Sequence, residues 1–72
     1  MSEYWIVEHA ARGCFTGFKA GKPCCSYKIL RTDPKVHRFY AIENARGLQK
    51  QIKGSYVMHV TLKPRLKIER VE

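Results

Sequence analysis

The most ordered set of charged side chains in this sequence lies between residues 43 and 53. Arg46, Lys50 and Lys53 are spaced four and three positions apart, which places them on one face of a helix. Cations aligned in this way can neutralise phosphates of a nucleic acid. Alternatively, they form the solvated face of an ordinary amphipathic helix, and the sequence leaves both interpretations open.

Further cations flank this helix along the chain and complete the predicted nucleic-acid-binding surface. They are Lys35, Arg38, Lys63, Arg65 and Lys67. If the sheet brings these segments together, all of these cations share one region. Contacts to phosphate carry no sequence information, so we predict non-specific binding mainly through phosphate. The sequence does not distinguish DNA from RNA.

Aromatic residues add a second possible contact to nucleic acid. Tyr40, Phe15 and Phe18 would stack on bases if their rings are exposed. However, Phe15 and Phe18 lie in a glycine-rich segment, where phenylalanine more often pins a loop to the core. Both interpretations of these two rings stay open.

The cysteines and histidines form neither a catalytic nor a metal-binding pattern. Nucleophilic catalysis needs a thiol or hydroxyl held by a base, with a third group orienting that base, and no local motif of this kind is present. Structural zinc sites show closely paired ligands, whereas Cys14 lies ten positions from Cys24, which is adjacent to Cys25. We therefore predict a non-enzymatic protein without a metal or cofactor. Another role for the cysteines is left open.

Length and charge restrict the class of protein further. A chain of 72 residues is enough for one domain spanning residues 1–72. Fourteen Lys and Arg against six Asp and Glu give a net charge of +8, which favours polyanionic partners. The first such partner is nucleic acid. The alternative is a protein-binding inhibitor or adaptor that docks on an acidic protein surface. In size and charge the chain resembles the small accessory proteins of phages and mobile elements.

No export or membrane signal is evident in the sequence. The apolar run at residues 4–7 is shorter than the roughly 7–15 residues of a signal-peptide core, and no positive segment precedes it. No apolar run approaches the roughly 20 residues of a membrane span. Three cysteines, two of them adjacent, cannot form a complete disulfide framework. We expect a cytoplasmic protein with reduced thiols and no membrane partner.

The elements that position these residues follow from local patterns. Residues 4–9 are rich in aromatic and β-branched residues and predict a strand. Glycines and a proline punctuate residues 10–24, which predicts a long glycine-rich loop or an irregular hairpin. Alternation over residues 25–32 predicts a second strand.

The middle of the chain is more ambiguous. Asp33 and Pro34 suit either a turn or a helix start. For residues 34–42 a strand fits the alternation slightly better than a helix, so we predict a turn followed by a strand. From residue 43 the apolar period becomes helical and predicts a helix over residues 43–53. Gly47 inside this helix suggests that another backbone approaches there, or it is incidental.

The C-terminal part gives the clearest strand pattern. Residues 55–63 alternate strictly, and Pro64 interrupts the alternation, which predicts a hairpin. The predicted fold class is therefore α+β, a small and mostly antiparallel sheet of four to five strands packed against one α-helix. An exposed edge from Arg65 to Val71 would allow pairing with another chain, including a second copy in a homodimer.

Overall fold

The computed structural model describes residues 2–71, which form one five-stranded sheet and one helix. In chain order the elements are β1 (Glu3–His9), β2 (Gly13–Lys19), β3 (Lys22–Ser26), α1 (Ile42–Gln49), β4 (Ser55–Thr61) and β5 (Lys67–Val71). The predicted α+β class is confirmed. The Cα radius of gyration is 11.4 Å, close to the value of about 11 Å for a compact chain of this length.

The sheet has the strand order β3-β2-β1-β4-β5, and all neighbouring strands are antiparallel. The central strand β1 pairs with β4 along its whole length, from Glu3–Thr61 to His9–Ser55. This position explains why β1 carries apolar residues on both faces. The strands β3 and β5 lie at the two edges, so the edge predicted from Arg65 to Val71 corresponds to β5.

The pairing of β1 with β2 covers two residue pairs, and a later segment occupies the space beyond them. Phe39 exchanges two backbone hydrogen bonds with Trp5, each 2.8 Å long. The backbone N–H of His37 donates to the carbonyl of Phe15 at 2.9 Å. The segment around Phe39 thereby joins β1 to β2 where these strands do not pair with each other.

Two apolar clusters occupy the two faces of the sheet. On the face covered by α1 the buried residues are Val7, Phe15, Ala45, Leu48, Ile52 and Val57. On the opposite face they are Tyr4, Ile6, Cys14, Val36, Met58 and Val60. Ile29 packs against this second cluster, and Val36 belongs to it. Residues 29–36 therefore cover the second cluster, as α1 covers the first. Each cluster removes apolar side chains from water, which is the main stabilising contribution in a chain this short.

The predicted glycine-rich loop at residues 10–24 is a hairpin, the second of the two predicted alternatives. It contains β2 and the start of β3, joined by Ala20 and Gly21. These two residues have φ angles of 52° and 77°, the pair of positive values that matches the twist of a tight two-residue hairpin. The irregularity is a shift in register between Phe15 and Gly17, which has the character of a β-bulge.

The predicted strands at residues 25–32 and 34–42 are wrong. The strand β3 ends at Ser26, and the chain then leaves the sheet edge to cover the second core cluster. The predicted turn at Asp33 is present, because the backbone N–H of Val36 donates to the Asp33 carbonyl at 3.0 Å. Residues 34–42 are neither strand nor helix up to Ala41, apart from the single bridge of Phe39.

The helix is shorter than the predicted range of residues 43–53. α1 ends at Gln49 and is followed by a tight turn. In this turn the backbone N–H of Ile52 donates to the carbonyl of Gln49 at 3.2 Å. The hydroxyl of Ser55 donates to the carbonyls of Gln49 and Ile52, at 3.2 and 2.6 Å. These contacts satisfy carbonyl groups that a longer helix would have paired. Ile52 is buried, but it reaches the core from the turn after α1 and not from the helix.

The remaining predicted elements agree with the structure. The strand predicted at residues 4–9 is β1, and the predicted C-terminal hairpin is formed by β4 and β5. Within residues 2–71, no helix is long and apolar enough to cross a membrane.

Candidate functional site

Two arginines from different elements line one cleft at the end of β5. Arg46 extends from α1, and Arg70 extends from β5. We call this the arginine cleft; it has a volume of about 260 Å³. Its lining residues are Arg46, Gln49, Tyr56, Val57, Arg70 and Val71. The amide of Gln49 donates to the carbonyl of Ser55 at 3.1 Å and the hydroxyl of Tyr56 donates to Glu8 at 2.9 Å. The two arginines are therefore the groups of this cleft that suit an anion.

The position of Arg70 is fixed by an aromatic ring. Its guanidinium carbon lies 4.5 Å from the centroid of the Tyr56 ring, within the range of a cation–π contact. Register explains the contact, because Arg70 faces Met58 on β4 and Tyr56 is two residues from Met58 on the same side. The guanidinium of Arg70 is therefore held over a ring that is itself anchored.

The anchor for Tyr56 is Glu8 on the neighbouring strand. The hydroxyl of Tyr56 donates to the Glu8 carboxylate at 2.9 Å, and Arg31 donates two further hydrogen bonds to it. Burial raises the pKa of Glu8, but the hydrogen bonds from Arg31 and Tyr56 and the charge of Arg31 outweigh it, so the pKa lies below its usual value of 4.5. Burial, followed by the contact with Glu8, raises the pKa of Tyr56. Tyr56 thus stays a neutral donor at pH 7.

The three cations predicted to share a helix face do not all lie on the helix. Arg46 is on α1, Lys50 is its C-terminal cap residue, and Lys53 lies in the turn that follows. All three are exposed. Because α1 ends at Gln49, the helical spacing that relates Lys53 to Arg46 does not apply.

The cations before α1 lie in the segment that follows β3. Lys35 is exposed beside the Asp33 turn, where its backbone N–H donates to the Asp33 carboxylate at 2.8 Å. The guanidinium of Arg38 lies 4.6 Å from the centroid of the Tyr4 ring and donates to the carbonyl of Thr32 at 3.3 Å. Arg38 is therefore half-buried and engaged in holding this segment against β1.

The cations after α1 lie at the other end of the β4–β5 hairpin from the arginine cleft. Lys63, Arg65 and Lys67 line a separate cleft of about 520 Å³. Lys67 forms an ion pair with Glu69 at 2.7 Å. The structure thus distributes the predicted cations over three regions: the arginine cleft and the turn after α1, the segment of Lys35 and Arg38, and the β4–β5 turn.

Two functional candidates were missed by sequence reasoning, Arg70 and Tyr56. Both lie in correctly predicted strands, but their contact depends on the register between β4 and β5. The alternation within residues 55–63 was visible in the sequence, but it assigns faces only within that strand. It could not have given the pairing that brings them together.

The aromatic residues proposed for base stacking differ in exposure. Phe15 is 1% exposed and lies in the core, which excludes it as a stacking surface. Phe18 and Tyr40 are 57% and 56% exposed. These two remain accessible to a ligand, while Phe15 supports Phe18 from below at a ring-centroid distance of 5.4 Å.

The three thiols are free, and the pKa values of Cys14 and Cys25 are raised. Burial, followed by the charge of Glu8, raises the pKa of Cys14 to about 11. Burial also raises the pKa of Cys25. A nucleophilic thiol needs a lowered pKa, so neither environment activates its cysteine. Among residues 2–71, no three His, Cys, Asp or Glu side chains lie close enough together to hold a metal ion.

Comparison of the chain with protein-family models, with curated proteins and with solved structures finds no match. The fold and the chemistry of its surface therefore carry the functional argument. They define a small α+β protein with a strongly cationic surface and a cleft lined by two arginines.

Proposed function

We propose that this protein is a non-enzymatic binding module that contacts nucleic acid mainly through phosphate. The observation that carries the proposal is the arginine cleft, where Arg46 and Arg70 approach one concave surface from two elements. Guanidinium groups are planar forks of donors that match phosphate oxygens in bidentate geometry. The sequence alone favoured the α1 cations, and the shared cleft with Arg46 supports adding Arg70 to them in this proposal.

The charge balance of the chain supports an anionic partner. Fourteen Lys and Arg oppose six Asp and Glu, so side-chain carboxylates cannot neutralise most of the cations. Of the six acidic residues, Glu8 is engaged by Arg31 and Tyr56, and Glu69 by Lys67. Such an uncompensated field raises the local concentration of a polyanion and accelerates its association.

Other exposed cations extend this surface without specifying sequence. Lys50 and Lys53 follow α1 directly, and Lys63, Arg65 and Lys67 form a second group at the β4–β5 turn. A long nucleic acid would contact both groups, whereas a short one would be held at the arginine cleft. We place this activity in the cytoplasm, as the free cysteines suggest.

A salt series tests the proposal. Fluorescence anisotropy would follow the binding of a labelled random duplex and a random single strand between low and physiological salt. We expect a linear fall of log K with log salt, with a slope of about −0.9 per phosphate contact on the duplex. Arg70→Ala and Lys50→Glu should each weaken binding on any sequence, and Arg70→Ala should reduce the slope by about 1.

The matched control is Arg65→Ala, which removes an arginine from the second cation group. If the arginine cleft is the main contact for a short duplex, Arg65→Ala should change its affinity less than Arg70→Ala does. Equal losses of affinity in the two variants would show that binding depends on charge spread over the whole surface and not on the arginine cleft. Absence of binding to both probes at low salt would overturn the proposal.

An exposed apolar patch favours a second candidate function, that of a protein-binding inhibitor or adaptor. Leu30 and Leu66 are 75% and 54% exposed and line a cleft of about 390 Å³ together with Ile29 and Ile68. Exposed apolar patches mark protein interfaces more often than nucleic-acid interfaces. Binding of an acidic protein through this patch would survive moderate salt, and Leu30→Asp would abolish it without changing any nucleic-acid binding.

A further inference from the structure

A second cleft beside α1 bears on which form of nucleic acid the protein binds. This aromatic cleft lies between α1, the β2–β3 hairpin and the segment around Phe39, and its volume is about 350 Å³. Small-ligand sites typically measure about 300–1,000 Å³. The aromatic lining residues are Phe15, Phe18, His37 and Phe39, and the polar ones are Glu43, Asn44 and Gln51.

The aromatic wall of this cleft is fixed before any ligand arrives. The rings of Phe15 and Phe39 are nearly parallel, with centroids 6.1 Å apart, and His37 meets Phe39 edge-on at 4.6 Å. Backbone hydrogen bonds to the sheet hold both His37 and Phe39. Phe18 stands at the mouth, 57% exposed. A wall ordered in advance lowers the entropy lost on binding.

The helix contributes a residue without a side chain to this cleft. A Cβ atom added at Gly47 would meet no atom within 4 Å, so no approaching backbone explains the glycine. Glycine weakens a helix interior relative to alanine, and α1 has eight residues. What Gly47 does provide is open space in front of the aromatic rings.

The chemistry around the cleft selects an uncharged planar group. Glu43 and the aromatic faces disfavour a phosphate inside the cleft. The net charge of +8 disfavours a cationic ligand. Exposed cations are close neighbours of the lining residues along the chain: Lys19 follows Phe18 and pairs with Lys22, and Lys50 precedes Gln51. A base whose neighbouring phosphates contact these cations satisfies all three conditions.

We infer that the aromatic cleft stacks an unpaired nucleobase and that the nucleic acid bound here is single-stranded. The inference rests on the proposed function and deepens it. In a duplex the base faces are already stacked, whereas single strands offer them to aromatic side chains. Asn44 and Gln51, which make no side-chain hydrogen bond within residues 2–71, offer amides to the base edge.

The two clefts lie on opposite sides of α1. Arg46 and Gln49 line the arginine cleft, and Asn44 and Gly47 line the aromatic cleft. A helix with its side chains is about 10–12 Å across. A single strand that crosses α1 therefore places a base in the aromatic cleft and a phosphate in the arginine cleft.

Three probes of equal length separate base contacts from phosphate contacts. They are oligodeoxythymidine, the corresponding abasic strand and a duplex, all measured by anisotropy at one low salt concentration. We expect oligodeoxythymidine to bind more tightly than the abasic strand, which has the same phosphates. Phe18→Ala should weaken oligodeoxythymidine binding by about 5- to 150-fold, the effect of losing one stacked base. It should leave abasic and duplex binding unchanged.

Two further variants keep the test decisive. Gly47→Met fills the cleft from the helix with a good helix former, so the protein should stay folded and lose the same preference for bases. Tyr27→Ala removes an aromatic ring that is 68% exposed but lies outside the cleft, and it should change nothing. Equal affinity for the strand with and without bases, insensitive to Phe18→Ala and Gly47→Met, would overturn the inference while the proposed function stands. Binding of none of the probes would overturn both.

Discussion

The guanidinium of Arg31 donates two hydrogen bonds to the carboxylate of Glu8, at 3.0 and 3.2 Å, across 23 positions of sequence. Glu8 also accepts a hydrogen bond from Tyr56, whose ring supports Arg70. This contact ties the segment after β3 to β1, and through Tyr56 it reaches the arginine cleft. The geometry of the candidate site therefore depends on an ion pair outside it.

Removing this ion pair should lower stability in a pH-dependent way. Arg31 is about half-exposed, so we expect Arg31→Ala to lower the free energy of unfolding by about 1 kcal/mol at pH 7. The folded-state pKa of Glu8 lies below 4.5. The contribution is therefore fully present above about pH 4.5 and is lost as the pH falls through the lower, folded-state pKa. Urea unfolding of both proteins at several pH values from 7 to 3 measures this.

The matched control for this prediction is Arg65→Ala. Arg65 is exposed in the β4–β5 turn, so its replacement should change stability by less than about 0.5 kcal/mol at any pH. A stability difference between Arg31→Ala and the unmodified protein that stays constant down to pH 3 would contradict the role assigned to Glu8.

The helix should be held to the sheet mainly through Leu48. Its side chain is 5% exposed within the cluster on the α1 face. Leu48→Ala should therefore destabilise the protein by about 2–5 kcal/mol. Leu30→Ala, at a leucine that is 75% exposed, should cost less than about 0.5 kcal/mol. Thermal or urea unfolding compares the two, and a similar effect of both would show that α1 does not pack as described.

Gly13 should tolerate no side chain. A Cβ atom there would lie 2.1 Å from the Cα of Tyr27 and 2.3 Å from the carbonyl oxygen of Ser26, and its φ is +87°. We expect Gly13→Ala to cost more than about 3 kcal/mol, because strain and backbone overlap add. Gly21→Ala has a similar φ of +77° but open space, and it should cost about 1–2 kcal/mol. Equal losses in urea unfolding would mean that the close approach at Gly13 is absent in solution.

The three thiols should differ in reactivity. Cys14 is 2% exposed and has a pKa of about 11, so iodoacetamide at pH 8 should modify it slowest. Cys24 lies on the edge strand β3 outside both core clusters, and it should react first. Mass spectrometry of timed samples gives the order, and in urea all three should react alike. Rapid modification of native Cys14 would contradict its described environment.

Strict local patterns predicted the fold well where a strand or helix has one buried face. The alternation from Tyr56 to Leu62 and the helical spacing of Ala45 and Leu48 each correspond to an observed element. The hairpin turn at Ala20 and Gly21 was not predicted, because its first residue is an alanine at positive φ and lacks the usual Asn-Gly signal. Residues 27–41 were misassigned because their apolar residues serve tertiary packing without a repeating period.

The sequence predicted that the candidate site is cationic, but it did not predict which cations lie together. The sequence showed Arg46 and Lys50 as neighbours on a helix, and this local relationship holds. The pairing of Arg46 with Arg70 depends on a cleft formed between α1 and β5, which no local pattern encodes. The same applies to Phe18, which is 57% exposed and lines the aromatic cleft with Phe39, a residue 21 positions away.

The pairing of β1 with β4 has a consequence for synthesis on the ribosome. Glu3 pairs with Thr61, so the central strand of the sheet acquires its most extensive partner only after β4 has been made. The hairpin of β2 and β3 is local, but it joins β1 through two residue pairs. Folding of the nascent chain therefore waits for its C-terminal part, and a truncated product without β4 leaves the β4-facing edge of β1 open to aggregation.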